Sequence, residues 1–200
     1  MEKKRQFAFV RQLQKGNGAN LKTVADIRSA ERHAKRLDKT SKLRQRDGAS
    51  HEGNYYWSVC GEGLDDGGAD YFAAFNQHKA IHDVKSERKG AALASHALVC
   101  VSPEWLAETG SPHDLDNPRV QELISQAQNW VESWMGKGAV WAVRYDVDEV
   151  GSGVVDILAS PIRTAYHKSG SSKPSISVNK AQKELVEQVN ARRKEEWDDA

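Results

Sequence analysis

AVWAVRYDV from residue 139 and GVVDILAS from residue 153 constrain the fold more than any other stretch, because two apolar, β-branched runs this close together pair as an antiparallel hairpin. The Gly-Ser-Gly between them supplies a tight turn, and Pro161 ends the second run. Helical spacings occur before and after the hairpin. Interspersed strands and helices with an obligatory antiparallel pair predict an α+β fold, an antiparallel β-sheet with flanking helices, rather than a doubly wound parallel one. GNGAN and GEG lack the companion residues of a Rossmann or Walker loop, so neither dinucleotide nor P-loop chemistry is indicated.

FAFVRQLQ, residues 7–14, alternates as a strand, with Phe7, Phe9, Arg11 and Leu13 on one side, and GNGAN breaks it. Leu21, Val24, Ala25, Ile27, Ala30 and Ala34 have the spacing of a helix whose last turns carry RHAKR, residues 32–36. Residues 35–54 are basic and polar with little to bury, and read as a mobile loop. YYWSVC (55–60) reads as a short strand, GEGLDDGGAD as a turn, residues 71–87 as a helix, 91–101 as a buried strand, and PEWLAETG as a short helix or turn. Asn117-Pro118 opens the clearest helix, with Val120, Leu123, Ile124, Ala127, Trp130, Val131 and Trp134 on one stripe that stops at Gly136. KSGSSKPS (168–175) reads as a flexible connector, and Asn179 is placed to cap a last helix with Leu185, Val186, Val189 and Trp197 on one side. The expected division is a domain over residues 1–178 and a C-terminal helix, 179–200, packed on it.

The chain has 200 residues, enough for one sizeable core. A formal charge of +1, from 29 basic and 28 acidic residues, excludes a polycation, so any nucleic-acid site must arise from local clustering. Cys60 and Cys100 lie in apolar surroundings without zinc or redox spacing and read as buried free thiols. The N-terminus has no cleavable signal pattern and no run is long enough to span a membrane, so a soluble, cytoplasmic protein is expected.

Asp146, Asp148, Glu149 and Asp156 sit in and around the hairpin, although acids disfavour strands. With the turn centred near Val150-Gly151, Asp146 falls almost opposite Asp156, and like charges across a hairpin require a proton, a base or a cation. Three carboxylates with Glu149 swinging in would make a hard-cation site for Mg²⁺ or Mn²⁺. The plainer alternative is a solvated turn in which Asp146 pairs with Arg144 or Arg11. RHAKR likewise has a plain reading, a cationic helix end favoured by the macrodipole.

Taken in order, VRQLQKGNGAN (10–20), RHAKR, SHEGNYYW (50–57), RKGAALASHALVCVSPEW (88–105) and AVRYDVDEVGSGVVDILASPI (142–162) resemble the Mob/Pre plasmid recombination relaxases, of the HUH endonuclease class. The resemblance covers about residues 7–190. It implies an HUH relaxase-like fold and metal-dependent nicking of plasmid origin-of-transfer DNA, single-stranded or hairpin, through a covalent protein–DNA intermediate. In that family, histidines and a glutamate on this hairpin hold a divalent metal. Here Asp146, Val154 and Asp156 stand where the histidines would, beside a retained Glu149, which implies an oxygen-ligated Mg²⁺ or Mn²⁺ on Asp146, Glu149 and Asp156. His33 matches the family's proposed nucleophile, with Ala34 replacing the asparagine after it, and Arg36 matches the arginine that would stabilise phosphate charge. Tyr55, Tyr56 and Tyr145 are alternative nucleophiles. The resemblance further implies DNA contacts from Lys35, Arg36, Lys42, Arg44 and Arg46 along the backbone, from His51 and Asn54 along the path, and from Trp57 stacked on a base. Trp57 reads equally well as core. A homodimer is a further expected partner. Two competing readings remain: a relaxase-fold DNA-binding regulator that does not nick, favoured by the loss of the histidines, and an interaction protein using the last helix.

Overall fold

In the computed structural model the described residues are 8–12, 20–62, 69–166 and 170–198. The hairpin runs through the middle of one antiparallel sheet. Strand β5 (Ala94–Val101) pairs with β1 (Ala8–Gln12) and β2 (Asn20–Leu21) on one side and with β7 (Val154–Ala159) on the other. The sheet continues through β6 (Val140–Tyr145) and β3 (Tyr55–Ser58) to β4 (Gly61–Glu62), in the order β1-β5-β7-β6-β3-β4. Strands β8 (Ile162–Tyr166) and β9 (Ser172–Ile176) form a separate two-stranded ribbon. The helices are α1 (Val24–Ala34), α2 (Lys39–Arg44), α3 (Tyr71–Ile81), α4 (Pro103–Ala107), α5 (Pro118–Met135) and α6 (Val178–Asp198). This is the α+β arrangement expected from the hairpin.

Side chains alternate along strands, so the two sheet faces have different fates. Ala97, Val143, Tyr145, Val155 and Ile157 point to one face, where the apolar stripe of α5 (Val120, Leu123, Ile124, Ala127, Val131) covers them. Tyr56, Ala142 and Leu158 belong to the opposite cluster with Ile27 of α1 and Tyr71, Ala74 and Phe75 of α3. A register shift between Val140 and Ala142 accompanies the placement of Trp141 in this second cluster, edge-on to Tyr71 with its indole N–H donating to Ser160 Oγ at 2.9 Å. Arg144 is two residues from Ala142, and Asp156 two from Leu158. Both therefore project from the α1/α3 face, where the site lies.

Several expectations are corrected. The helix at 71–87 ends at Ile81, because Asp83 adopts φ 52 and Val84 folds back, its N–H on Lys79 O at 2.9 Å. The second half of KSGSSKPS is a strand rather than a flexible connector: Ser172–Ile176 pairs with β8 in register, Pro174 is tolerated on an edge strand, and residues 168 and 169 lie outside the described residues. Asn179 lies inside α6 rather than at its cap, and accepts a hydrogen bond from Asn20 at 3.2 Å. Ala181 and Leu185 join the α5 core, whereas Val186 and Val189 are exposed; the side chain of Trp197 lies outside the described residues. Cys100 is buried but Cys60 is exposed. The expected strand at 7–14 is described over Ala8–Gln12, and most of GNGAN and of the GEGLDDGGAD turn falls outside the described residues. Among the described residues no helix is long and apolar enough to cross a membrane.

The link between β6 and β7 is longer than a tight turn, residues 146–153, and ends at Gly153. Gly153 has φ 84, its carbonyl accepts the Val101 N–H at 2.8 Å, and a Cβ there would lie 2.7 Å from Val101 O. Only glycine fits. Gly153→Ala should therefore destabilise the fold by about 2 kcal/mol or more, a fall in Tm of roughly 4–8 °C. Thermal melts by circular dichroism test this, and an unchanged Tm would show that the β5–β7 junction relaxes freely.

Candidate functional site

The acidic link between β6 and β7 is fastened to the segment that follows α1. Gln45 and Glu149 form an isolated antiparallel bridge, with Arg46 N–H donating to Asp148 O (2.7 Å) and Val150 N–H to Arg44 O (2.8 Å). Asn54 clamps the same link: its Oδ1 accepts from the N–H groups of Val147 (2.8 Å) and Asp148 (3.1 Å), and its Nδ2 donates to Asp148 Oδ1 (2.7 Å). Residues 35–54 are thus not a mobile loop. Arg36, Arg46 and Asn54, which looked solvated in the sequence, are spent on the backbone and carboxylates of the hairpin.

A capping box, Thr23 with Asp26, starts α1, and Arg36 ends it in the left-handed region at φ 54. That conformation costs a non-glycine residue on the order of 1 kcal/mol, and the side chain shows what sustains it. The buried guanidinium reaches both oxygens of Asp148 (Nε 2.9 Å, Nη2 2.5 Å), Glu149 Oε1 (2.8 Å) and Asp146 Oδ2 (3.0 Å). Asp146 is also held by Arg144, whose Nε stands 2.5 Å from Oδ1. In the strand register Arg144, not Asp146, lies opposite Asp156. The two acids therefore do not meet across the hairpin, and the pairing of Asp146 with Arg144 is present instead. Asp156 bonds diagonally across β5 and β7 to His96, Oδ1 to Nε2 at 2.6 Å.

Burial and pairing set the charges. Burial opposes ionisation of Asp148, but the hydrogen bonds of Arg36 and Asn54 hold its carboxyl below the usual range. Burial acts likewise on Asp156, and His96 outweighs it. Asp146 goes the other way: burial pushes it up to about 7 against the attraction of Arg144 and Arg36, with Asp156 and Glu149 adding repulsion. Of these acids, Asp146 is the one that burial and its acidic neighbours push toward the protonated form.

Beside this cluster is a cavity of about 840 Å³. His33, Asp146, Glu149 and Asp156, which the sequence placed on separate segments, all line it. His33 is half-buried, and its Nδ1 stands 3.1 Å from Asp38 Oδ2, an arrangement that fixes the tautomer and leaves Nε2 as the free ring nitrogen. Asp38 in turn caps α2, accepting from Thr40 and Ser41 N–H, and these bonds hold it below its ordinary value despite slight burial. Arg44 lines the cavity and is exposed. Other nominated DNA contacts lie elsewhere. Lys35 pairs with Glu31 at 3.5 Å, Lys42 is exposed on α2, and Arg46 donates to Val147 O at 2.8 Å. His51 is half-buried in a one-turn helix, His51–Gly53, and Asn54 is buried under the acidic link. Trp57 packs on the α5 face of the sheet, away from the cavity, which matches its core reading. Tyr145 is also on that face, its hydroxyl donating to Pro112 O at 2.6 Å.

His96, Lys22 and Arg32, which the sequence did not single out, also line the cavity, with Arg144, which the sequence offered only as a partner of Asp146. His96 looked like one more residue of a buried strand. Only the β5–β7 register, which local pattern does not encode, puts it beside Asp156.

In fold, the chain matches solved relaxase domains. Three crystal structures of the MobM relaxase domain (MOBV; Mob_Pre) bound to plasmid pMV158 oriT DNA, all Mn-bound, are similar to it. One aligns over 87% of this chain and 74% of that domain with TM-score 0.53, another over 80% and 72% with TM-score 0.51, each at 14% identity. At that identity the likeness is one of fold. No protein-family model matches the sequence, and no curated protein matches it by sequence.

The donor set does not fit a bound divalent metal. The Arg36 guanidinium bridges Asp146 and Glu149, where a shared cation would have to sit, and Asp156 is turned to His96. Among the described residues no three His, Cys, Asp or Glu side chains converge as ligands. Of the expected metal set, Asp146 and Glu149 meet guanidiniums in this structure and Asp156 meets His96. Arg36, the expected phosphate stabiliser, is fully occupied by acids.

A raised carboxyl pKa has a definite linkage sign. Asp146 favours the folded state fully below its ordinary value of 3.8, and that contribution is lost as pH rises toward about 7. Asp146→Asn, which imitates the protonated acid, should therefore gain stability relative to the unmodified chain between pH 5 and pH 8, on the order of 2 kcal/mol. Urea melts at the two pH values measure the difference. A gap that does not change with pH would mean that Asp146 stays ionised throughout.

Proposed function

We propose that this chain is a relaxase-type DNA-processing protein, which takes origin-type plasmid DNA, single-stranded or hairpin, into the cavity and presents a phosphodiester to His33. The observation that carries this reading is the His33–Asp38 pair. An imidazole with one nitrogen tied to a carboxylate and the other free, facing a roomy cavity with basic residues on its wall, is suited to attack on phosphorus. In the proposed step the P–N bond forms at His33 Nε2 as the P–O3′ bond breaks, the departing 3′ oxygen takes a proton from solvent, and a 5′-phosphoryl-histidinium, its Nδ1–H still on Asp38, and a free 3′-hydroxyl remain; religation is the reverse. The shared fold with a DNA-bound relaxase domain supports the choice of DNA over other phosphodiesters.

A second reading is favoured by a specific observation. Because Arg36 and Arg144 already neutralise the hairpin acids, the Mg²⁺- or Mn²⁺-dependent nicking that the family resemblance implies lacks its ligands here. A relaxase-fold DNA-binding regulator needs only the basic wall.

Both readings require DNA binding and differ in covalent chemistry. Incubation with supercoiled plasmid and with labelled hairpin oligonucleotides should give salt-sensitive binding and a protein–DNA adduct resistant to denaturing gel electrophoresis. His33→Ala should remove the adduct and leave affinity within about threefold, a change of roughly 0.7 kcal/mol. Binding without an adduct under all conditions would establish the regulator. Absence of DNA binding at low salt would refute both readings.

A further inference from the structure

We infer that the resident cation of this centre is the Arg36 guanidinium, seconded by Arg144, and that the cavity takes a DNA phosphodiester without a divalent ion, on Lys22, Arg32 and Arg44. The DNA part rests on the proposed function; the cation part rests on the cluster alone.

Three observations lead here. The first is stoichiometric. Asp146, Asp148 and Glu149 all bond to Arg36, and Asp146 also contacts Arg144, so every acid of the link already has a fixed positive partner within 3.0 Å. A divalent ion would have to displace a buried guanidinium that is anchored at one end by the close of α1. The second is that Arg36 adopts a left-handed backbone, φ 54, which positions the side chain as a cation delivered into the acids. The guanidinium is moreover raised above its ordinary pKa, because the hydrogen bond to Asp148 and the three carboxylate charges overcome the cost of burial. It therefore carries its charge at every pH at which the protein is folded. The third is the distribution of charge in the cavity. Its inner side holds the neutralised acids, whereas Lys22, Arg32 and Arg44, from the start of α1, the end of α1 and the end of α2, are exposed on its wall. With no metal to bridge it to the acids, a phosphodiester is attracted to these three side chains, beside His33.

This arrangement predicts a gain of metal binding on mutation. In Arg36→Met, three carboxylates lose their shared cation and become available as oxygen ligands. Mn²⁺ binding is read by loss of the free-ion electron paramagnetic resonance signal and by thermal shift. The unmodified chain should show neither stoichiometric Mn²⁺ uptake nor a Tm change in millimolar Mn²⁺, whereas Arg36→Met should show both. Arg144→Met, which leaves the Arg36 fork in place, serves if Arg36→Met does not fold without the ion. It should gain weaker Mn²⁺ stabilisation, centred on Asp146. In parallel, hairpin-oligonucleotide affinity should be the same with EDTA as with Mn²⁺, and should fall at least about tenfold in the combined Lys22→Ala, Arg32→Ala, Arg44→Ala variant. Uptake of one Mn²⁺ by the unmodified chain, lost in Asp146→Asn, would overturn the inference. So would an affinity that EDTA lowers about tenfold or more. If the chain binds no DNA at all, the proposed function and the phosphodiester subsite fail, while the Mn²⁺ measurements still decide the identity of the cation.

Discussion

One guanidinium organises this molecule around its site. Arg36 gathers three carboxylates of the β6–β7 link, and in doing so ties the end of α1 to the middle of the sheet. Ion pairs of this kind bring little net stability when desolvation is counted, but removing one partner leaves uncompensated charge in a buried place. Their contribution is therefore to geometry more than to stability. The bridge of Gln45 with Glu149 and the Asn54 clamp follow the same logic, holding a polar segment against an acidic one so that neither faces water alone.

The division of labour between the sheet faces explains where the site can be. The α5 face is closed by a continuous apolar stripe and holds Trp57 and Tyr145 away from any ligand. On the other face α1 and α3 cover Ala142, Leu158 and Trp141, and the row one step further along the strands holds Arg144 and Asp156, which His96 reaches diagonally from the row of Leu158. Polar residues there have each other as partners, which is the condition for burying them. The cavity opens beside that row, with His33 brought to it by the end of α1.

The likeness to an oriT-bound relaxase domain and the chemistry of this cavity separate two things that usually travel together. A fold can place a histidine, a hairpin and a basic wall in fixed relation while the side chains at the centre change their charge logic. Here the hairpin carries carboxylates, and Arg36 and Arg144 stand among them. Asp146, Asp148 and Glu149 all meet Arg36, so much of the charge of the link is compensated before any ligand enters.

Local sequence pattern was sufficient for the hairpin, for α5 with its Asn-Pro start and glycine stop, and for the α+β class, because periodicity and turn chemistry act over a few residues. The ordered motifs also pointed to His33 and the hairpin acids as one site, and they do share a cavity. What those acids bind could not be read the same way. Arg36 and Asp148 are 112 residues apart, and His96 and Asp156 are 60 apart; each pairing depends on strand order and register. The same limit made residues 35–54 look like a solvated loop, since their partners lie on the hairpin. Sequence determined which segments form elements and which carry charge. Tertiary structure alone decided whether each acid meets a metal, water or an arginine, because burial and opposite charge are properties of neighbours in space.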